Sequence, residues 1–584
     1  MKIIFPFLYL LVCSVISSVH AQITPVNTDD IETFARLLNS QSNVKSLRLS
    51  DLSETQFTIH WIYPDRRAAR TFMNRIGSYA GSQNVEIQYH WSWPDSLTST
   101  DHSISIVLYS SDMTWPARFT EFNGYKIRIG SMSSDPFDGL QLDQAGTGTL
   151  DLAAQYIMDG IALDANGKIV TGSRVSYLSA EYLGLDKDFL YSKLDSILQL
   201  GLDSSAYPGA EVTIAYKGSV VYQKAVGYHT YNKVYRVRSD DMWDLASVTK
   251  VTAGVNALMT LYESDHLDLD KNLEDYFDYF RHSDKGELGL KRILTHSAGL
   301  TPYLVYYAMA RKDNGDYVRN TVSGTRHGHF NYSVTDSIFI SDRFSNFIYK
   351  AIKESSLKPG NKYEYSGLFF LLIPDLVKQL TGKTMDTFLD RSVFEPMGAA
   401  HTSFNPSRDY NIHSIVPTEV DHVWRNQLIH GAVHDEAAAV LGGISANAGL
   451  FSTGIDLVKM GETWRRNGQY GGKSFWSPET ISTFTRCYYC DEGNRRALGF
   501  DRPPLPEHDY LSYMSPLASQ QSFGHSGFTG TMIWVDPAHE YTFVFLSNRV
   551  HPTRENSMLY SLNIRPDLHS VLYKAIDRQK VSVK

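Results

Sequence analysis

Ser247-Val248-Thr249-Lys250 brings a hydroxyl and an ammonium to one side of a helical turn, because residues three apart share a face. Such a pair can make a nucleophile of the serine: a lysine on a buried helix is desolvated, which favours the neutral amine that accepts a proton. Spacing alone does not single this pair out, since Ser42 to Lys45 and Ser355 to Lys358 repeat it. Its surroundings do. Val248, Val251, Val255, Leu258, Met259 and Tyr262 trace an apolar helix face that begins at Ser247. The pattern predicts the hydroxyl in the first turn of a buried helix, where free N–H groups and the helix dipole favour developing negative charge.

Two other clusters could carry chemistry. Cys487-Tyr488-Tyr489-Cys490 could be redox-active, bind a metal or close a disulfide. Zinc would need a second ligand pair, and Cys13 is the one other cysteine; Thr483-Phe484-Thr485-Arg486 does not provide the strand before a helix that a thioredoxin-type site uses. A disulfide stapling a loop is therefore expected. His430 and His434 are spaced like a helical metal pair, but Gly431 between them argues against a helix, and neither a metal nor a cofactor is expected.

The elements that must position these residues are legible over most of the chain. Asp30 to Leu38 has helical periodicity and Ile104 to Tyr109 reads as a buried strand, so residues 22–182 form an α/β domain without obvious chemistry. From Asp186, Leu190, Leu194, Ile197 and Leu198 mark a helix. It gives way at Tyr207-Pro208-Gly209 to a hairpin through Val212, Ile214 and Tyr216, a Lys217-Gly218 turn, then Val220 and Tyr222. A second hairpin turns at Asp536-Pro537, and Leu568, Val571, Leu572 and Ile576 close the chain with a helix. Residues 183–584 are thus predicted to form an α+β domain in which both ends of the segment share one antiparallel sheet, flanked by helices, around an all-helical subdomain.

Composition narrows the partners. The 584 residues are 42% hydrophobic, enough for packed cores, and carry a net charge of −8 with no long run of one sign. This argues against nucleic acid or an anionic membrane as partner. The 36 tyrosines exceed what cores need and predict an aromatic-lined cleft or a sugar- or peptide-contacting surface. Met1-Lys2, the apolar run Ile3 to Ile16 and the small residues ending at Ala21 read as a cleavable signal peptide over residues 1–21. Cys13 lacks the small preceding residue of a lipoprotein signal, so no lipid anchor is expected. No later stretch approaches the ~18–20 apolar residues of a membrane span. A periplasmic or secreted protein is expected.

From about Leu183 onward the chain resembles the serine β-lactamase and penicillin-binding-protein superfamily, especially its class C-like serine hydrolases. Seven segments match that family's boxes in order: Ala206 to Ala210, Asp244 to Lys250, Ile293 to Leu300, Tyr363 to Gly367, Gly431 to Asp435, Asn447 to Ser452, and Gly524 to Gly527. The resemblance implies that Ser247 is the acylated nucleophile, Lys250 its activating neighbour and Tyr365 the phenol that relays a proton to the leaving group. It places His525, Ser526 and Gly527 in the third box on the strand walling the cleft, His525 with a catalytic or substrate-contacting role there. The N–H groups of Ser247 and Phe528 would form the oxyanion hole.

Two departures stand out. The second box ends in Gly367 where β-lactamases and carboxypeptidases have an Asn that holds the substrate amide, and the third begins with His525 where they have a Lys that pairs with the substrate carboxylate. Both changes imply weak recognition of penicillin-like substrates, unless a protonated His525 replaces part of the lost charge at low pH. Tyr303 to His329 is an aromatic-rich insertion, a solvated loop or a wall of the cleft. Upstream, Ala153 to Gly160, Gly167 to Val170 and Arg174 to Tyr177 resemble the end of the C-terminal α/β domain of family 3 glycoside hydrolases, which implies a structural or at most sugar-binding remnant.

Overall fold

The computed structural model describes residues 25–39, 41, 56–62, 66–80, 85–89, 103–110, 125–129, 140–142, 147–310, 318, 321–335, 337–506 and 513–582. The leader at 1–21 with Cys13, and the pair Ser42 and Lys45, lie outside them.

The N-terminal part alternates strands and helices: α1 (Thr28–Asn39), β1 (Gln56–Trp61), α2 (Arg66–Ala80), β2 (Val85–Tyr89), β3 (Ser103–Ser110), β4 (Tyr125–Ile129), β5 (Leu140–Leu142) and α3 (Thr147–Ile157). Its strands form a parallel sheet in the order β2-β1-β3-β4-β5, as strand-helix alternation favours. Ile106, Val107, Leu108 and Tyr109 are all buried, so β3 is covered on both faces. Under the sheet Arg75 Nε donates to both carboxylate oxygens of Asp151, at 2.9 and 3.0 Å, and its guanidinium lies 3.5 Å from the Tyr177 ring centroid.

A small hairpin, β6 (Ile161–Leu163) and β7 (Ile169–Thr171), leads to the second part and is sewn to it. Ser176 N–H donates to the Gly218 carbonyl at 3.0 Å, Val220 N–H to Ser176 at 2.8 Å, and Leu178 N–H to Ser219 Oγ at 2.6 Å. Arg466 Nη1 reaches the carbonyls of Gly172 and Ser173.

Helix α4 (Lys187–Asp203) starts at Asp186, whose carboxylate accepts the Phe189 N–H, and buries Leu190, Leu194 and Leu198. Next come β8 (Gly209–Tyr216) and β9 (Ser219–Gly227), joined at Lys217 and Gly218, both with positive φ, as a tight hairpin turn requires. The strands Phe523–Ser526, Met532–Asp536 and Tyr541–Ser547 complete one antiparallel sheet, with Tyr541–Ser547 beside β8. Alternation divides its residues. Val212, Ile214, Trp534, Phe543 and Phe545 pack with α4 and the closing helix Ile564–Ser582, while Ile533, Val535, Val544 and Leu546 pack with Leu457 and Val458 of helix Gly454–Arg465. Between the sheet's halves the chain is not the all-helical subdomain expected from the sequence: short helices alternate with loops and with small sheets, among them Trp243–Asp244, Leu450–Ser452 and Ser403–Phe404 in one and Val322–Ser323, Ile338–Ile340 and Tyr332–Thr335 in another, because backbone pairing between distant loops is not written in apolar periodicity.

The helix expected from Ser247 is not uniform. Ala246–Val248 is a 3₁₀ turn, Lys250–Val255 a π-helical stretch, and only Asn256–Glu263 (α5) is regular. Thr252 Oγ1 donates to the Val248 carbonyl and Asn256 Nδ2 to that of Thr252, so side chains compete for the backbone acceptors. Among the described residues no helix is long and apolar enough to cross a membrane.

Candidate active site

Ser247 Oγ lies 3.0 Å from Lys250 Nζ and accepts the Tyr365 hydroxyl at 3.2 Å. Lys250 is only 3% exposed, and its second partner is the Asn447 carbonyl at 2.9 Å. The backbone around the serine is held from two sides. Trp243 and Asp244 pair with Ser452 and Phe451, Leu245 N–H donates to Leu450, and Thr249 Oγ1 accepts the Leu450 N–H. The Asp244 carboxylate accepts N–H groups from Ala246 at 2.8 Å and His434 at 2.7 Å. Burial pushes its pKa up, against these bonds. Ala246 has φ of 46°, a strained left-handed value for a non-glycine residue directly before Ser247.

The third box approaches from the sheet edge. Thr529 Oγ1 donates to the Asp244 carbonyl and Thr531 Oγ1 to that of Leu245, both at 2.8 Å, which pins the turn carrying Phe528 against the segment that carries Ser247. Gly527 is required by this close approach: a Cβ there would meet Thr531 Oγ1 at 2.1 Å and the Leu245 carbonyl at 2.4 Å. Phe528 is 48% exposed, with the Arg549 guanidinium 4.4 Å from its ring and His434 stacked at 5.9 Å.

Around Tyr365 lie four basic side chains. Lys250 Nζ is 5.3 Å from its ring centroid, the Arg496 guanidinium carbon 5.4 Å, and the rings of His296 and His525 are at 4.6 and 6.0 Å. His525 is buried and bonds through Nδ1 to the Ser526 carbonyl at 2.7 Å. Desolvation, then repulsion by Arg496 and Lys250, lowers its pKa to about 3. The imidazole is thus neutral, and the recovery of charge at mildly acidic pH anticipated for it does not fit this environment. His296 accepts the Ser366 N–H on Nδ1 and is held well below the ordinary histidine range by burial first and by Arg496 next. A Cβ at Gly367 would meet nothing within 4 Å.

Other expected sites resolve into structure. Ser355 Oγ bonds back to Ile352 and Lys358 pairs with Glu364. His430 bonds the Ile415 carbonyl, His434 bonds Glu419, and Glu419 is also gripped by Arg554. Cys487 and Cys490 form the expected disulfide. Part of the Tyr303–His329 insertion lies outside the described residues; of the rest, Tyr307 stacks on Trp424 and Tyr303 is destabilised as a phenolate by burial and by nearby Glu436 and Asp435.

Asn447, His296, Arg496 and Asp501 were not singled out as site residues by sequence reasoning. Asn447 and His296 stand inside matched segments, which is a usable signal. Arg496 and Asp501 have none.

With the sheet, the helices packed on it and the Ser-Lys-Tyr cluster together, the class is a serine hydrolase. The chain belongs to the family described as Beta-lactamase, whose model matches residues 194–563. It is 28% identical over 400 residues to an Escherichia coli O157:H7 protein named "Putative D-alanyl-D-alanine carboxypeptidase", covering 64% of this chain and 85% of that one. Among solved structures it is similar to a penicillin-binding protein homolog from Caulobacter crescentus, with TM-score 0.48 and 16% identity over 66% of this chain and 97% of that one. A second is EstCE1, a hydrolase with promiscuous acyltransferase activity, at TM-score 0.47 and 18% identity over 66% and 99%.

Proposed function

We propose that this hydrolase is exported and forms an acyl-enzyme at Ser247 on an ester or amide, from cell-wall peptides or small acyl compounds, and releases it to water. The observation that carries the reading is the position of Ser247 Oγ between Lys250 Nζ at 3.0 Å and Tyr365 Oη at 3.2 Å. As Oγ bonds to the acyl carbon, its proton passes to the Lys250 amine. The bond to the leaving group then breaks, and Tyr365 gives that group a proton while receiving one from the Lys250 side. Water repeats the sequence in reverse on the acyl-enzyme. The Ser247 and Phe528 N–H groups would hold the oxyanion.

A D,D-carboxypeptidase is the second reading, supported by the name of the E. coli relative. Against it stand Gly367 and the neutral His525, which together forgo an amide hydrogen bond and a charge-assisted partner worth about 2–4 kcal/mol, a rate penalty of roughly 30- to 1,000-fold. Incubation with a fluorophosphonate and with labelled penicillin, followed by mass spectrometry of the modified peptide, tests both. Fluorophosphonate on Ser247 with little penicillin labelling supports the general hydrolase; no label on Ser247 sinks it; rapid penicillin acylation favours the carboxypeptidase or a β-lactamase.

A further inference from the structure

Arg496 is an unusual neighbour for a catalytic tyrosine. It is 5% exposed, and its guanidinium carbon lies 5.4 Å from the ring centroids of both Tyr363 and Tyr365, with Nη2 donating to Tyr363 Oη at 3.0 Å. Behind it sits Asp501. That carboxylate is gripped in a two-pronged pair by Arg495, at 2.8 and 3.0 Å, accepts the Tyr513 hydroxyl at 2.8 Å, and meets Arg496 Nε only at 3.3 Å. Burial opposes its ionisation, but Arg496 and Arg495 hold Asp501 well below the usual carboxylate range. Two arginines against one carboxylate leave a buried excess of positive charge on the side facing Tyr365. The group is fixed to the third-box strand, because Asp501 and Gly524 exchange two backbone hydrogen bonds at 2.8 and 3.0 Å.

We propose that Arg496 is a positioning residue that supplies the fixed positive charge on which proton transfer through Lys250 and Tyr365 depends, a role that rests on the acyl-enzyme reading of Ser247. The groups facing Tyr365 are Lys250 from the nucleophile helix, His296 from the turn before Ser297, His525 from the third-box strand, and Arg496 with Asp501 and Arg495 behind it; Tyr363 is on its own segment. Both histidines are neutral. If Lys250 is the base and must be an amine, Arg496 is the lasting cation in the ring. Its charge, 5.4 Å from the Tyr365 ring, attracts negative charge that develops on the phenol oxygen and repels positive charge at Lys250 while the proton is in transit, so without Arg496 the transfer demands a higher pH.

The rate of Ser247 labelling by a fluorophosphonate, followed by intact-mass spectrometry against pH, reads this directly. Arg496→Met and Arg496→Gln are expected to move the rising limb upward by about 1–3 pH units, while Arg496→Lys stays near the wild type. Arg496→Gln can still hydrogen-bond Tyr363, so a wild-type profile in that variant overturns the proposal in favour of a structural role. Arg496→Lys shifting as far as Arg496→Met overturns it too. Should the position-496 variants fail to fold, Arg495→Met leaves Arg496 in place and Asp501 free to neutralise it; a smaller upward shift is expected, and none or a downward one refutes the charge role. A wild-type chain not labelled at Ser247 refutes the acyl-enzyme reading itself, an outcome distinct from these.

Discussion

Two Ser-x-x-Lys turns can be set side by side. In Ser247–Lys250 the ammonium points at the hydroxyl at 3.0 Å and is anchored to Asn447; in Ser355–Lys358 the hydroxyl turns back to Ile352 and the ammonium leaves for Glu364. The first lies in a buried 3₁₀ and π-helical segment, the second at the end of helix Phe344–Glu354, where Ser355 has extended backbone. The motif does not make the site. Burial deprives Lys250 of water, and a third chain segment, Asn447–Ser452, dictates where it points.

The comparison breaks most simply by removing each member in turn. Ser247→Ala is expected to abolish fluorophosphonate labelling and turnover, whereas Ser355→Ala leaves both intact. Label on Ser355, or turnover in Ser247→Ala, would overturn the assignment. Lys250→Ala is expected to lower kcat/KM by about 10²–10⁴, while Lys358→Ala loses an exposed ion pair worth ~0–1 kcal/mol and leaves kcat/KM unchanged.

A smaller loss sharpens what the surroundings of Ser247 contribute. Gly527→Ala places a methyl within 2.4 Å of the Leu245 carbonyl, so the turn carrying Phe528 must move away from the nucleophile segment. Losing one oxyanion donor is expected to cost about 10²–10³ in kcat, with the Ser247–Lys250 pair intact. A variant that folds with wild-type kcat would remove Phe528 from the oxyanion hole.

Why one turn became a site was partly legible. The hairpin β8–β9 and the one ending at Ser547 are local events, written in alternating apolar residues and turn residues, and their meeting in one sheet followed from where they fall in the chain. The apolar face beginning at Ser247 was equally local. What eluded the sequence is carried by contacts between distant segments. Asn-Arg-Arg-Ala-Leu-Gly-Phe-Asp at 494–501 reads as an ordinary charged loop; only the pairing of Asp501 with Gly524 buries Arg496 behind Tyr365. The partner of Lys250 is a backbone carbonyl, which any residue at 447 would offer. The π-helical stretch carries Thr252 and Asn256 side chains bonded back to the carbonyls of Val248 and Thr252, which helical periodicity does not register.

Burial that tunes a site also affects stability, and here the histidines differ by place. His525 and His296 border Tyr365, whereas His569 is buried on the closing helix itself, against Phe543 and Trp534 of the sheet, accepting the Ser515 N–H on Nδ1. Burial, the first cause in each, lowers His525 and His569 to about 3 and His296 well below its ordinary value. The unfolded chain takes up protons near pH 6.5 and the native state does not, so stability is full above that value and falls as pH drops toward 3. His525 and His569 each contribute about 1.4 kcal/mol per pH unit in that window. Urea midpoints between pH 7 and 4 are expected to fall steeply. His569→Gln should reduce that slope by one proton while sparing kcat, and an unchanged slope would show that the core histidine is not a neutral passenger.

The smallest effect concerns the second box, where the surroundings lack something instead of providing it. Gly367 has no positive φ and open space beyond its missing Cβ, so Gly367→Asn is expected to fold with melting temperature unchanged or slightly raised through the restricted unfolded chain. An Asn amide reaching a substrate's acyl-amide group adds a hydrogen bond worth about 0.5–1.5 kcal/mol, or about a 2- to 10-fold gain in kcat/KM. The gain belongs to amide-bearing substrates alone, so the informative quantity is the ratio of kcat/KM for an N-acylated peptide or nitrocefin to that for a simple short-chain ester. His525→Lys offers no parallel gain. It puts a further cation into a buried space already facing Lys250 and Arg496, where repulsion and desolvation both oppose its charge. The double variant is therefore expected to be less stable than Gly367→Asn and no better a β-lactamase. If Gly367→Asn folds and the substrate ratio stays put, position 367 does not read the acyl amide, and any discrimination against penicillin-like substrates must come from elsewhere in the cleft.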